Sequence, residues 1–423
     1  MSRCRPWGRG DPATAAQHQG RRKSRRVTTT GRSSMKQVRK ATAGLALIAL
    51  LAACGGGNGS DDGAGASPDG EPDSSVDGGE PASDAEALGG EEAAAEMERL
   101  YEAAIEAGAT DVVVYGPGED DKVPVYEIFT ERFPEISVRG EYLVGPNMDS
   151  KINAEFASGV HVASVLQSGD TSLAPKIPSE DDPGQLEPFV PVTAEGMDPQ
   201  FHDEDREYAF AASASTFGIL YNTQLVDEGD VPQSWEDLLD PSRNGDLVWE
   251  DPTRFGAGFG FLNKILTDER YDESFVEQLR ANDPYLEASA PAAGNAVATG
   301  QFGIEVAYPY SFYLRDVERG APVDFVFPVE GGNHLSPHFL GLVQNAPSPD
   351  AGKLLITWLL SPEGQHATAE VGYYPTMPGI PGPEGNPPVD ELDLLEPIPL
   401  SEVNAASGRN LGVVQDIWGE TEG

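Results

Sequence analysis

The fold class is decided by residues 111–166, which read DVVVYGPGED DKVPVYEIFT ERFPEISVRG EYLVGPNMDS KINAEFASGV HVASVL. The segment opens with a β-branched strand at residues 111–115, a Gly-Pro-Gly turn and acidic residues that suit a helix start. Apolar residues at helical spacing stop before Pro134, and extended runs follow at residues 136–143 and 160–166, separated by a second helix. This order predicts a βαβαβ unit, the signature of a parallel sheet with crossover helices.

The rest of the chain continues the α/β pattern. Strands are predicted at 217–222, 246–249, 302–307, 322–327 and 340–344, and helices at 252–265, 293–299 and around 354–359. A last structured segment is expected at 411–418. A second α/β unit therefore follows the first.

The first 98 residues predict export and lipid attachment. Residues 35–53 read MKQVRKATAGLALIALLAA, in which basic residues precede a short apolar stretch, as in a secretory signal peptide. The following Cys54 completes LAAC, which is similar to a bacterial lipobox and predicts acylation; an ordinary secretory peptide with an incidental cysteine is the alternative. Residues 1–34 are interpreted as lying upstream of the native start, with a twin-arginine signal as the alternative. Residues 54–98 are acidic and rich in Gly, Ser, Ala and Pro, which predicts a disordered tether.

The charge and the cysteine count exclude several classes of function. The chain has 28 Lys and Arg against 70 Asp and Glu, a net charge of −42, which argues against nucleic acid or an anionic membrane face as partner. Both cysteines lie within the first 54 residues, so the predicted body has no thiol nucleophile, disulfide or cysteine-ligated metal. The body also carries no HExxH, GxSxG, Walker or GxGxxG motif. No enzyme activity and no cofactor are predicted.

Three segments are candidates for ligand contact, because ligands of open α/β sheets sit beyond the carboxyl ends of the strands. The first is the loop at Tyr115, Gly116 and residues up to 118, and the second is the loop after the third strand, with Ser168, Gly169 and Asp170. The third is the predicted helix start at Thr253 and Arg254, where a guanidinium beside helix amides suits an anion. An ordinary turn and a surface ion pair are the structural alternatives.

The order of several segments resembles a known family. These segments are VVVYG, FGILYN, SWEDLLDP, DPTRFG, AVATGQFGIEVAYPY and NAPSPDAGKLLITWLLSPEGQ. Together with the lipobox they resemble the extracellular solute-binding lipoproteins of ABC transporters of the ferric-ion, phosphonate and thiamine type. The resemblance implies a two-lobed type II periplasmic-binding-protein-like α/β fold with two crossover strands at the hinge. Carried onto this chain, lobe 1 is 99–216 plus 329–423, and lobe 2 is 217–328.

The resemblance also directs attention to tyrosines. Ferric-ion members of the family use adjacent tyrosines after the strand that corresponds to residues 303–307. This chain has Tyr308 and Tyr310 there but no adjacent tyrosines, because Ser311 and Phe312 interrupt the pair before Tyr313. That interruption favours an organic solute, on which these rings would stack, over Fe³⁺. Tyr374 is similar to the family's tail loop near the cleft. Packing between the lobes is the structural alternative for each tyrosine.

The implied function is a receptor that delivers a solute to an ABC importer. Its expected partners are a small molecule, favoured as a phosphonate, sugar phosphate or similar organic solute, and the ABC permease subunits. The resemblance implies a monomer on the outer face of the cell membrane, in contact with the membrane only through the lipid on Cys54. The alternatives are a ferric-ion-binding protein, a sensor lipoprotein and a secreted hydrolase on the same fold.

Overall fold

A computed structural model gives the structure of this protein and describes residues 84–117, 121–143, 145–328 and 330–419. The chain divides into two units at Ser74 and Ser75, and all described residues belong to the second unit. The predicted signal peptide, Cys54 and residues 55–83 of the predicted tether lie outside the described residues.

A nine-stranded mixed sheet runs through the described body. Its strands are β1 (Asp111–Gly116), β2 (Ser137–Tyr142), β3 (Val165–Ser168), β4 (Phe210–Asn222), β5 (Leu247–Glu250), β6 (Tyr285–Glu287), β7 (Ile304–Pro309), β8 (Val323–Val326) and β9 (His334–Leu342). The order is β2-β1-β3-β9-β4-β7-β5-β6, and β8 pairs with β4. Strand β1 pairs in parallel with β2 and β3, which confirms the predicted βαβαβ unit.

Helices connect the strands and pack against them. They are α1 (Asp84–Ala87), α2 (Glu91–Ala107), α3 (Val123–Arg132), α4 (Gly145–Ser158), α5 (Asp170–Leu173), α6 (Ala257–Ile265), α7 (Glu273–Ala281), α8 (Ala290–Ala298), α9 (Tyr310–Glu318), α10 (Pro349–Leu359), α11 (Pro362–Glu370) and α12 (Val403–Trp418). Helix α3 stops two residues before Pro134, as proline geometry requires.

Two long antiparallel strands, β4 and β9, join two hydrophobic cores. Strand β4 contributes Ala214 to the first core and Ile219 to the second. Only glycine fits at position 218 between them, because a Cβ there would lie 2.2 Å from the carbonyl oxygen of Val326 on β8. We call the part of the protein around the first core lobe 1 and the part around the second core lobe 2.

The last helix differs from its expected place. The sequence analysis assigns residues 329–423 to lobe 1, but Val414 of α12 belongs to the second core. The indole of Trp418 lies 6.0 Å from that of Trp249 on β5, centroid to centroid. The C-terminal helix therefore packs on lobe 2, and the chain crosses between the lobes a third time.

The predicted tether is wrong over residues 84–98. Helix α2 begins at Glu91, and its residues Ala93, Met97, Leu100 and Ala104 are buried at helical spacing. Helix α2 packs against α10, so it belongs to lobe 1. The abundance of acids concealed this apolar face, because the acids occupy the solvent side of the helix.

Several predicted boundaries also shift. Strands β4 and β9 begin earlier than expected, at Phe210 and His334, and two other elements begin later. The third strand, expected at 160–166, begins at Val165 because the Glu155 carboxylate accepts hydrogen bonds from the Val162 and Ala163 amides, at 2.8 and 3.3 Å. Those amides are paired with a side chain and not with a neighbouring strand. The helix expected from residue 252 begins instead at Ala257.

Candidate functional site: a cleft between the lobes

Two neighbouring cavities lie between the lobes, and Pro117 and His338 line both of them. Their volumes are about 320 and about 380 Å³. We name them by their basic residues, the lysine chamber for the one lined by Lys264 and the arginine chamber for the one lined by Arg315. A cavity of about 540 Å³ lies within lobe 2 alone, along residues 225–246, so it is not part of this cleft.

The lysine chamber is built from both lobes and from a crossing strand. Lobe 1 supplies the loop at residues 168–172, which follows β3, and lobe 2 supplies residues of α6 and the segment before it. Strand β9 supplies His334, Ser336 and His338 from the region where the lobes join. The chamber thus meets the general rule that ligands sit beyond the carboxyl ends of parallel strands.

The arginine chamber is lined in part by prolines and aromatic rings. It is lined by Pro291, Pro309 and Phe312 of lobe 2 and by Tyr142 and Tyr373 of lobe 1, among others. Prolines and aromatic rings of this kind suit a ring or hydrocarbon part of a solute.

Each chamber contains an acid from lobe 1 and a base from lobe 2. In the arginine chamber, the Arg315 guanidinium lies 3.5 Å from the Asp121 carboxylate and 4.1 Å from the Phe312 ring centre. In the lysine chamber, Lys264 is 8% exposed, and it faces Asp170 without forming an ion pair with it. Burial lowers the pKa of Lys264, and the charge of Asp170 acts in the opposite direction. Burial likewise raises the pKa of Asp170.

Two buried histidines stand between these pairs on β9. Burial lowers the pKa of His334 to about 3, with the nearby Lys264 charge as a second cause, so His334 is neutral. Among the described residues, neither ring nitrogen of His334 has a hydrogen-bond partner. His338 Nε2 lies 3.1 Å from the Ser215 hydroxyl, and burial also lowers the pKa of His338. The chamber therefore holds polar atoms that a solute can engage.

The structure brings one predicted loop into the cleft. Ser168, Gly169 and Asp170 all line the lysine chamber. The other predicted loop contributes Pro117, whereas Tyr115 and Gly116 are buried in β1. The Tyr115 hydroxyl donates to Glu155 at 2.6 Å, and burial followed by this contact raises the pKa of Tyr115. Tyr115 is a core residue because its side chain points away from the chamber, and residue 118 lies outside the described residues.

The predicted tyrosines Tyr308 and Tyr310 line neither chamber, although Pro309 and Ser311 between and beside them line the arginine chamber. Tyr308 is 1% exposed and donates to the Asp316 carboxylate at 2.6 Å. The expectation of a stacking platform fails because side chains alternate along this segment, so the two rings enter lobe 2.

The ring of Tyr310 packs against Phe325 and Phe327, at centroid distances of 5.2 and 4.8 Å. Tyr374, predicted beside the cleft, is also buried and donates its hydroxyl to the carbonyl of Pro387. Its backbone pairs with Ala214 on β4. Its neighbour Tyr373 lines the arginine chamber, as Tyr142 does.

The expected anion site at Thr253 and Arg254 is taken by the protein's own acids. The Thr253 hydroxyl donates to Asp251 at 2.6 Å, and Arg254 pairs with the same carboxylate at 3.0 Å. Glu250 accepts a hydrogen bond from the Gly258 amide at 3.2 Å, so a carboxylate already occupies the start of α6. Neither Thr253 nor Arg254 lines a chamber.

Four charged or titratable residues of the cleft were not predicted from the sequence: Lys264, Arg315, His334 and His338. His334 and His338 are four residues apart, and Pro337 between them disfavours a helix; on β9 the two side chains share a face of the strand instead. One feature of the sequence could have identified Lys264 as a cleft residue. The chain has five lysines after Cys54, and this one lies on a helix that is mostly apolar.

Along the described ranges, no group of three or more His, Cys, Asp or Glu side chains is arranged to hold a metal ion. In that same part of the chain, no helix combines the length and apolar character needed to cross a membrane.

Sequence comparison finds related proteins. Residues 182–405, more than half of the chain, match the family described as bacterial extracellular solute-binding protein. An uncharacterized protein of Haemophilus influenzae is 27% identical over 198 residues, 45% of this chain and 56% of that protein. The phosphoglycerate transport regulatory protein PgtC of Salmonella typhimurium is 25% identical over 177 residues, 41% of this chain and 44% of that protein. The chain spans about half the length of the curated relatives it matches.

Structural comparison finds proteins of the same fold. Iron-bound HitA from Pseudomonas aeruginosa superposes with a TM-score of 0.59 and 20% identity, over 73% of this chain and 99% of that one. The substrate-binding protein of an ABC transporter from Agrobacterium tumefaciens gives 0.61 and 18%, over 73% and 94% of the two chains. These similarities confirm the predicted two-lobed α/β fold.

Proposed function

Because the chain belongs to the family of bacterial extracellular solute-binding proteins, we propose that it is the receptor of an ABC importer. It captures a small organic solute, of the phosphonate or sugar phosphate type, in the cleft between its lobes. Solute that contacts both lobes favours the closed form, and the closed form is the one that docks on the permease subunits. The protein acts as a monomer and catalyses no reaction.

One observation supports this proposal above the others. The lysine chamber has buried polar groups from lobe 1, from lobe 2 and from β9 in a single cavity of about 320 Å³. A solute there touches both lobes at once, which is the requirement for coupling binding to closure.

The test is to fill the chamber. Gly260 lines it, and a Cβ at this position meets no atom within 4 Å, so Gly260→Leu adds bulk without a backbone clash. Gly408→Leu on α12 is the matched control, because its Cβ is equally free and it does not line the cleft. Thermal-shift screening against phosphonates, sugar phosphates, thiamine, polyamines and ferric ion identifies a solute for the wild type. We expect Gly260→Leu to lose at least about tenfold in affinity and Gly408→Leu to keep it; equal binding by both variants would refute the cleft assignment.

Attachment through Cys54 is a separate part of the proposal. It is supported by the lipobox-like tetrapeptide at residues 51–54. Cys54→Ser should release the body into the medium, as measured by fractionation. Persistent membrane association of the serine variant would contradict the lipid anchor.

The described geometry supports the alternatives less well. A ferric site needs several phenolate or carboxylate oxygens, but the Tyr308 hydroxyl is engaged by Asp316 and Tyr310 is packed among aromatic rings. A hydrolase of the serine type needs a nucleophile, a histidine base and an acid that orients the histidine. Ser215 lies 3.1 Å from His338 Nε2, but among the described residues His338 Nδ1 has no hydrogen-bond partner that would complete such a triad. A sensor lipoprotein would use the same cleft, and permease or kinase genes beside its own gene distinguish the two roles.

A further inference from the structure

Among the described residues, neither the Lys264 ammonium nor the Asp170 carboxylate of the lysine chamber forms an ion pair. Lys264 is 8% exposed, and within the described ranges its ammonium takes part in no hydrogen bond or ion pair. Asp170 faces it from lobe 1, and its carboxylate accepts a hydrogen bond from the Thr171 amide at 2.6 Å. A buried lysine and a partly exposed aspartate of opposite charge thus lie on opposite walls of one cavity without meeting.

Burial of this kind is costly. A charge removed from water without a partner loses several kcal/mol of hydration, so buried charges are normally paired. The opposing pKa displacements of Lys264 and Asp170 have this cause, since burial is the main contribution to each. A third group placed between the two would satisfy both.

The other lining groups carry no net charge that could serve. His334 is neutral at its lowered pKa of about 3, and Ser168, Ser336 and Asn263 offer hydroxyl and amide groups. A purely anionic solute would satisfy Lys264 and be repelled by Asp170, and a purely cationic one would do the reverse. Only a solute with both charges suits both walls.

We propose that the solute of this cleft is dipolar, with an anionic group held by the Lys264 ammonium of lobe 2 and a cationic group held by the Asp170 carboxylate of lobe 1. This inference rests on the proposed receptor function and narrows it to one charge class. It also explains closure, because each lobe holds one end of the solute. The two residues determine specificity by charge, and the polar groups of β9 orient the solute between them.

The test uses sets of solutes that share a skeleton and differ in charge. One set is 2-aminoethylphosphonate, ethylphosphonate and ethylamine; a second is 4-aminobutyrate, butyrate and butylamine. A wider library sorted into dipolar, anionic, cationic and neutral solutes accompanies them. Calorimetry on the wild type should show dipolar members binding at least about tenfold more tightly than singly charged members of the same set.

Variants of the two residues should each remove one half of this preference. Lys264→Met should bind the dipolar member no better than the amine, and Asp170→Asn should bind it no better than the anion. Arg280→Met is the matched control, because it removes one positive charge from an exposed pair of lobe 2, with Asp283, and should keep both preferences.

The contrary outcomes are distinct. If anionic, cationic or neutral solutes bind as tightly as dipolar ones, the charge class is wrong while the receptor function stands. If the variants alter closure of the solute-free protein in small-angle scattering but leave the preferences intact, the pair is structural and the inference is overturned. If no solute of any class binds the wild type, the receptor function itself fails.

Discussion

The two chambers place the same two kinds of charge across the same cleft, with different results. In the arginine chamber, Asp121 and Arg315 meet at 3.5 Å, and their side chains are 23% and 38% exposed. In the lysine chamber, Asp170 and the 8% exposed Lys264 remain apart. The first pair is in contact and partly exposed, whereas the second pair is apart and its lysine is buried.

The difference shows in which chamber the charged side chains already have partners within the protein. Arg315 has a carboxylate and the face of Phe312 as partners, and the Tyr373 hydroxyl also lies 3.5 Å from Asp121. Such a pair is in contact without a solute, although the Arg315 Nε has no hydrogen-bond partner among the described residues. The lysine chamber carries the cost of burial without the compensating contact, which is the pattern expected of a binding site that is completed by its ligand.

The largest expected effect is the pH dependence of the unfolding free energy that follows from the burial of His334 in the lysine chamber. His334 has a pKa of about 3 in the folded protein against 6.5 in the unfolded chain, so the unfolded state binds more protons between these values. Stability is therefore complete above pH 6.5 and falls as the pH drops toward 3, by about 3 to 5 kcal/mol from this residue. His334→Gln should flatten that part of the curve of unfolding free energy against pH.

The exposed His366 provides the control for this measurement. His366→Gln should leave the slope between pH 6.5 and pH 3 close to that of the wild type. If the unfolding free energy of His334→Gln has the same slope against pH as that of His366→Gln, solvent reaches His334 in the folded protein and the predicted pKa shift is absent.

The next effect concerns the unpaired ammonium itself. Lys264→Met keeps the aliphatic stem and removes the charge, so we expect the unfolding free energy at pH 7 to rise by about 1 to 3 kcal/mol. The lowered pKa of Lys264 also means that wild-type stability rises as the pH approaches 10.5, and the variant should lack this rise. Denaturant titrations at pH 7 and pH 10 measure both effects. A less stable Lys264→Met would mean that the ammonium has a partner in the folded protein.

The fold was more predictable from sequence than the site. The parallel unit around β1 follows from apolar runs, turns and proline, which act over a few residues. The lysine chamber depends on side-chain direction at the ends of several elements from distant parts of the chain. The loop at Ser168 could be found because it follows a strand, but nothing local distinguishes Tyr310, which enters the core, from Tyr373, which reaches the cleft. Helix α2 was missed because composition was weighed without the spacing of Met97 and Leu100.

A smaller effect separates surface charge from cleft charge. The chain carries a net charge of −42, so repulsion between exposed acids should weaken as salt rises from about 0.01 to about 1 M, where the Debye length falls from about 30 to about 3 Å. We expect the melting temperature to rise over this range in the wild type and equally in Lys264→Met, because a buried charge is screened little. A melting temperature that is flat in salt would contradict the role of surface repulsion. A difference in salt response between the two proteins would show that Lys264 is accessible to ions.

The smallest expected effect is the coupling energy between Asp121 and Arg315 in the arginine chamber. Asp121 and Arg315 are partly exposed, and such pairs contribute about 0.2 to 1 kcal/mol because solvent and salt screen them. A double-mutant cycle with Asp121→Asn and Arg315→Met isolates this coupling from the contact of Arg315 with Phe312, which the single variant also removes. We expect a coupling below about 1 kcal/mol that disappears near 1 M salt. A coupling above about 2 kcal/mol that persists in salt would show that solvent screens the Asp121–Arg315 pair little. The two pairs would then differ only in the distance between their charges.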